Sequence, residues 1–227
     1  CVRSRNEDAW FADARAGVFV VADGMGGHQA GDRASALTVD SLGGLADAPP
    51  TALDRAHALR RAIEGANRRV YDASVGDVRL RGMGTTVVAL WLHGGQAHWA
   101  HVGDSRLYRL RDGELRALTL DHSPVGDLVR IGRITPQQAA AFGPMRLLTR
   151  SVGTFPHVQV EAGQDAARPG DRYLLCSDGL TDVVPDATLA RVLAEDGEVA
   201  AATRRLALTA LDAGGPDNVT ALVVDVI

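Results

Sequence analysis

The chain has 227 residues, a formal net charge of −4 and a pI near 6.0, which suits one domain with a sizeable core and offers no electrostatic footprint for nucleic acid. Every one of its 24 basic residues is arginine, which excludes P-loop lysines, kinase-type lysines and Schiff-base chemistry. Two cysteines, Cys1 and Cys176, support neither a disulfide framework nor a cysteine metal site, and no apolar run has bilayer length, so a reducing cytoplasm is the default.

Usage of Arg, Ala and Gly points to a GC-rich bacterial source, and a start at Cys1 instead of Met points to a trimmed end. Arg3-Ser4-Arg5-Asn6-Glu7-Asp8 is a polar segment, read on its own as a solvated terminus. Next, Val18-Phe19-Val20-Val21-Ala22 runs into Asp23 and the glycine-rich stretch Gly24-Met25-Gly26-Gly27-His28. The pattern predicts a buried strand that stops at a tight turn. A carboxylate at that point calls for a cation or strong donors. Asp23 is therefore either a ligand to a metal or basic group, or the cap of a helix starting near Gln29.

A helical stripe covers Ala30 to Leu45, and Pro49-Pro50 then breaks the chain. Thr51 is the expected N-cap of a second helix whose Ala56, Leu59, Ile63, Ala66 and Val70 share a buried face. Arginines 55, 60, 61, 68 and 69 are read as its solvated side. From Gly84 the period changes. Thr85 to Leu92, Gln96 to Val102, Arg106 to Leu110 and Glu114 to Leu120 read as strands of an antiparallel meander, with turns at His93-Gly94-Gly95 and Asp112-Gly113. Asp121 to Pro144 is helical but weakly apolar and glycine-interrupted, as an excursion over a site would be. Arg172 to Cys176 is a short buried strand ending at Asp178-Gly179; helices over Ala187 to Ala194 and Val199 to Leu211 and a last strand, Val219 to Val226, complete one domain over 1–227. Strands and helices mix without strict alternation, so the fold class is α+β.

Three carboxylates, Asp23, Asp178 and Asp217, sit where an apolar strand meets a glycine turn, and Asp104 in Val102-Gly103-Asp104-Ser105-Arg106 is a fourth. Packed together without a cation they would repel strongly, and oxygen-rich sites of this kind suit Mg²⁺ or Mn²⁺. The histidines offer no HExxH pair; His98 and His101, three apart on a strand, are read as ordinary sheet residues.

Taken with Arg3-x-x-x-Glu7-Asp8, Gly82-Met83-Gly84-Thr85-Thr86, Ser177-Asp178-Gly179 and Asp217-Asn218, these pieces resemble the metal-dependent serine/threonine protein phosphatases of type 2C, in their bacterial form. They occur in the family's order over essentially the whole chain. The resemblance implies a four-layer αββα sandwich with a variable flap at about 121–150. It implies Asp23 bridging two metals with the Gly24 carbonyl, Asp178 and Asp217 on the first metal, and Glu7 acting on the second through water. Asp8 would orient Asp23 or a metal water, Asp104 with Asp178 would form a weaker third site, and Asn218 would fix Asp217. Arg3 would take the phosphate, since guanidinium matches two phosphoryl oxygens at once. The implied chemistry is in-line attack on phosphorus by a hydroxide that two cations make accessible near neutral pH.

Two departures from the family pattern stand out. Met25 replaces the histidine that eukaryotic relatives carry after the bridging Asp-Gly, which leaves His28 as first candidate for the general acid and a metal-bound water as second. Only two residues precede the arginine motif, where the family has a strand. The implied substrates are phosphoserine and phosphothreonine proteins of a bacterial serine/threonine kinase, acted on by a monomer. A non-catalytic pseudophosphatase module is the alternative, and a dinucleotide-binding domain is disfavoured because Asp23 would face a pyrophosphate with like charge.

Overall fold

The computed structural model describes residues 5–26, 30–47, 54–143, 147–195 and 197–227. Ten strands follow in chain order: β1 (Asp8–Asp13), β2 (Val18–Met25), β3 (Gly84–Thr85), β4 (Val87–His93), β5 (Gln96–Val102), β6 (Arg106–Arg111), β7 (Glu114–Ala117), β8 (Glu161–Ala166), β9 (Arg172–Cys176) and β10 (Ala221–Asp225). The helices are α1 (Gly31–Gly43), α2 (Arg55–Gly76), α3 (Pro124–Arg130), α4 (Pro136–Ala140), α5 (Asp178–Thr181), α6 (Asp186–Leu193) and α7 (Val199–Asp212). One sheet has the order β1-β2-β4-β5-β8 with β3 on β2, the other β10-β9-β6-β7, and the pairings are antiparallel.

Side-chain alternation along the strands builds the layers. In β2, Val18, Val20 and Ala22 face α1 and α2, whereas Phe19 and Val21 face the second sheet. In β9, Leu174 and Cys176 face α6 and α7, and Tyr173 and Leu175 face the first sheet. Three apolar layers result, helix on sheet, sheet on sheet and sheet on helix, which is the αββα sandwich. Burying such side chains is worth about 1.5–3 kcal/mol each.

The expected meander is two hairpins in different sheets. β4 and β5 turn at Gly94-Gly95 (φ 58° and 71°), and β6 and β7 at Asp112-Gly113 (φ 51° and 78°). β5 and β6 do not pair; β5 pairs with β8 and β6 with β9. The chain changes sheets at Gly103 (φ 104°), where an added Cβ would lie 2.7 Å from the Thr86 side chain. β1 and β8 are further strands beyond those read from the pattern.

Other corrections are local. Asp54, not Thr51, caps α2, its carboxylate accepting from the His57 N–H at 3.2 Å; Thr51 lies outside the described residues. Arg55 is not part of a solvated face: it is buried, with its guanidinium 4.9 Å from the centre of the Trp91 ring. β2 continues through Gly24 to Met25 instead of stopping at Asp23.

Candidate metal centre

The site lies at the end of the two sheets where β2, β5 and β9 finish and β1, β6 and β10 begin. The alternation that aims Phe19 and Val21 into the gap between the sheets aims Asp23 there too. Asp23 is therefore a strand residue and not a helix cap; α1 starts at Gly31 after Ala30. Asp8 stands directly opposite it on β1. Gly24 is required where it is: a Cβ there would lie 2.1 Å from the Gly31 carbonyl oxygen and 2.6 Å from that of Glu7.

Asp178 opens α5 immediately after β9, and Asp217 lies in the loop before β10. Gly179 lets these segments touch, since a Cβ there would lie 1.9 Å from the Asn218 carbonyl oxygen. Asp104 enters from the crossing between β5 and β6. Glu7, Asp23, Gly24, Asp104, Asp178 and Asp217, with Thr86 and Leu148, line one cavity of about 190 Å³. All the carboxylates expected at the site come together there except Asp8, which sits behind it. Arg3 and His28 lie outside the described residues.

Electrostatics follow from this crowding. Burial, then the neighbouring Asp8 and Asp178, holds the Asp23 carboxyl well above the usual carboxylate range. Asp104 is pushed up to about 7 by burial first, then by Asp178 and Asp121. Asp8 is raised chiefly by burial, against the hydroxyls of Thr220 (2.6 Å) and Ser177 (2.9 Å) that donate to its Oδ2. Its buried Oδ1 has no hydrogen-bond partner among the described residues. Such an array is costly as charges and takes up protons unless cations enter.

Neutral groups hold the carboxylates in place. The Asp23 N–H donates to Thr86 Oγ1 (3.0 Å), and its carbonyl accepts from the Thr86 N–H (2.8 Å) and the Thr85 hydroxyl (2.7 Å). Thr86 Oγ1 lies 2.6 Å from Ser105 Oγ, a buried contact that ties the Asp23 strand to the Asp104 loop. Asn218 fixes Asp217 through its main-chain N–H, which donates to Asp217 Oδ1 at 2.9 Å. Its side chain does something else: Oδ1 accepts from the Glu7 N–H (3.0 Å), and Nδ2 donates to the Arg5 carbonyl (2.8 Å). The period-two pattern carried through Cys176 and Ala221 to Ser177 and Thr220 was the available signal for the two hydroxyls.

One grouping went unread in the sequence. His101, His122 and Glu161 place ligand atoms within 4.8 Å of one another, with the two buried rings stacked 4.5 Å apart. Metal binding fits poorly. The Gly103 N–H donates to His122 Nδ1 at 3.0 Å, so the neutral ring carries its proton on Nε2, which faces Glu161 Oε2 at 3.2 Å. Arg130 and Arg150 crowd the same carboxylate and ring at 3.1 and 3.2 Å.

Beside the site, α3 and α4 form the expected excursion. Together with the start of α6 they flank a cleft of about 540 Å³ that shares Asp104 and Asp178 with the metal centre. Among the described residues no helix is long and apolar enough to cross a membrane.

Comparison with known proteins gives a consistent result. The family model described as protein phosphatase 2C matches residues 2–211. The serine/threonine protein phosphatase PstP of Mycobacterium tuberculosis (strain ATCC 25618 / H37Rv) is 43% identical over 226 residues, covering 100% of this chain and 43% of that protein. The chain thus spans less than half the length of this relative. Protein phosphatase PhpP of Streptococcus pneumoniae is 36% identical over 212 residues, covering 91% of this chain and 85% of that protein. A crystal structure of the PstP catalytic domain in complex with two manganese ions superposes with a TM-score of 0.88 at 42% identity, covering 99% of this chain and 93% of that one.

Proposed function

The chain belongs to the protein phosphatase 2C family, and from that premise we propose that it is a Mn²⁺- or Mg²⁺-dependent phosphatase acting on phosphoserine and phosphothreonine in proteins. The observation that carries this reading is the convergence of Glu7, Asp23, Asp104, Asp178 and Asp217 on one cavity, with Asp8 behind them.

The donor set fits divalent ions. It is all oxygen, which suits hard cations, and the burial and like charges that raise the pKa of Asp8, Asp23 and Asp104 are what bound divalent ions would offset. Asp23, Asp178, Asp217 and the Gly24 carbonyl are assigned to the core pair of ions, with Glu7 acting through water, and Asp104 with Asp178 to a weaker third. Bound ions supply charge for the phosphoryl oxygens and lower the pKa of a water. Asp8, anchored by Ser177 and Thr220, orients Asp23. Asn218 tethers Arg5 and Glu7 beside Asp217. Arg3 is the phosphate clamp, and His28 is the donor to the leaving alkoxide.

Residues 1–227 constitute one catalytic domain with its flap at about 121–150. Phosphoproteins are its substrates. A bacterial serine/threonine kinase is the enzyme it opposes, the cytoplasm its location and the monomer its form.

The deciding experiment follows phosphate release from a phosphothreonine peptide with Mn²⁺ and with EDTA, alongside metal binding by calorimetry. Release with Mn²⁺ alone, lost in Asp23→Asn, is the expected result. A protein that binds its ions yet releases nothing would be the pseudophosphatase. His28→Ala should slow peptide hydrolysis far more than that of p-nitrophenyl phosphate, whose leaving group needs no proton; equal slowing of both removes His28 as the acid.

A further inference from the structure

Asp104 is held from both flanks. After it, Ser105 Oγ meets Thr86 Oγ1 at 2.6 Å. Before it comes Gly103, at a φ of 104° that non-glycine residues rarely adopt. Both peptide groups flanking Gly103 are bound by one residue. The His122 main-chain N–H donates to the Gly103 carbonyl (2.9 Å), which belongs to the same peptide as the Asp104 N–H, and His122 Nδ1 accepts from the Gly103 N–H (3.0 Å).

His122 is itself braced. It is fully buried and stacks on the equally buried His101, with the rings 10° from parallel. Its Nε2 faces Glu161 at the start of β8, which is hydrogen-bonded in turn by Arg130 at the end of α3. Its carbonyl accepts from the Thr149 N–H (2.8 Å) on the far side of the flap. A buried imidazole bonded at both ring nitrogens is more than packing demands, since a leucine would fill similar space and keep the two main-chain bonds but lose those to the Gly103 N–H and to Glu161.

We infer that His122 is a positioning residue that sets the direction of Asp104 by fixing the two peptides around Gly103, and so tunes the affinity of the weak third ion while leaving the core pair alone. The inference rests on the assignment of Asp104 as a ligand. It joins the flap to the metal centre through one residue, because the main-chain carbonyl of His122 takes the hydrogen bond from the Thr149 N–H.

Two near-isosteres separate the roles of the ring. In His122→Asn, Oδ1 occupies the place of Nδ1 and still accepts from Gly103; in His122→Gln the reach toward Glu161 is kept and the Gly103 acceptor is lost. Calorimetric titration with Mn²⁺ should show third-ion affinity about tenfold weaker in His122→Gln, the usual cost of losing a partner behind a metal ligand. It should stay close to wild type in His122→Asn, with the core pair unmoved in both. Equal third-ion affinity in the two variants, or loss of the core ions together with the third, overturns the inference. Asp104→Asn is the control: if it still binds the third ion, the ligand assignment fails first and takes the inference with it. Should neither histidine variant fold, the wild-type protein still decides. In a Mg²⁺ titration followed by NMR, the Gly103 amide and the His122 ring must shift together in the weakest binding step, and an unmoved ring overturns the proposal.

Discussion

Asp8 and Asp23 face one another across an antiparallel pair, a position where like charges destabilise a sheet. With Asp178 adding its charge beside Asp23, the three cannot all be ionised without cations. Asp23→Asn keeps the shape and removes one charge from the middle of the group. Turnover should vanish, while the melting temperature in EDTA should rise by about 2–4 °C for each kcal/mol of repulsion relieved; a lower melting temperature would mean that the cluster is not under strain. Asp104 gives the pH dependence. Its folded value of about 7 lies above the ordinary 3.8. The folded state therefore holds this proton more tightly than the unfolded chain. Its contribution is whole below about pH 4 and is lost as pH climbs through about 7. Thermal unfolding in EDTA should accordingly show stability falling across that window, at a slope of roughly 1.4 kcal/mol for each pH unit crossed, and the slope should flatten in Asp104→Asn.

Elements deliver those residues, and their meeting points are glycines. Gly179→Ala sets a methyl group against the Asn218 carbonyl, at the contact that joins the start of α5 to the loop before β10. Asp178 and Asp217 ride on these two segments, so the substitution should weaken Mn²⁺ binding about tenfold or more while the far-ultraviolet circular dichroism stays that of the native fold. Unchanged metal affinity would show that the loop can yield without moving its carboxylate. This dependence on contact between distant segments also marks what the sequence could disclose. β2 and β9 are unbroken apolar runs that end at acidic residues, and β-branched and aromatic periodicity with Gly94-Gly95 and Asp112-Gly113 located both hairpins. β1 and β8 were not legible: DAWFAD and EAGQDA are edge strands, half-exposed and mixed in polarity, and only their partners make them strands. Nor does local pattern say that the chain changes sheets between Val102 and Arg106; that follows from Gly103 being forced against Thr86. At the centre itself, acidic residues at strand ends were visible as candidates. His122 was not, because a buried imidazole has meaning only with its partner, and the alternation that turns Ser177 and Thr220 inward does not disclose that Asp8 meets them there.

Across the whole molecule the two sheets are joined differently at their two ends. Away from the site, Arg109 on β6 pairs with Asp165 on β8, and Arg111 reaches the Ala166 carbonyl (2.6 Å) while its other donors bind Asp171. Arg109–Asp165 spans the sheets with opposite charges, Arg111–Ala166 spans them through a neutral carbonyl, and the Arg111–Asp171 pair, beside β9, steadies the arginine from within its own sheet. At the site end, β2 and the segments after β5 and β9 bring like charges to the same gap. Divalent ions held by that carboxylate set would bridge the two sheets, so metal binding is also sheet-to-sheet adhesion, and ions that bind only the folded state stabilise it by about 4 kcal/mol at a thousandfold excess over Kd. The stabilisation should not be spread evenly. Hydrogen exchange followed by mass spectrometry, with Mn²⁺ against EDTA, should show added protection in peptides covering 102–106, 176–182 and 217–221, and almost none in those covering 91–97 and 166–172. Slowing of equal size at both ends would mean that the ions raise global stability alone, and that the carboxylate end is as firmly closed without them as the arginine end.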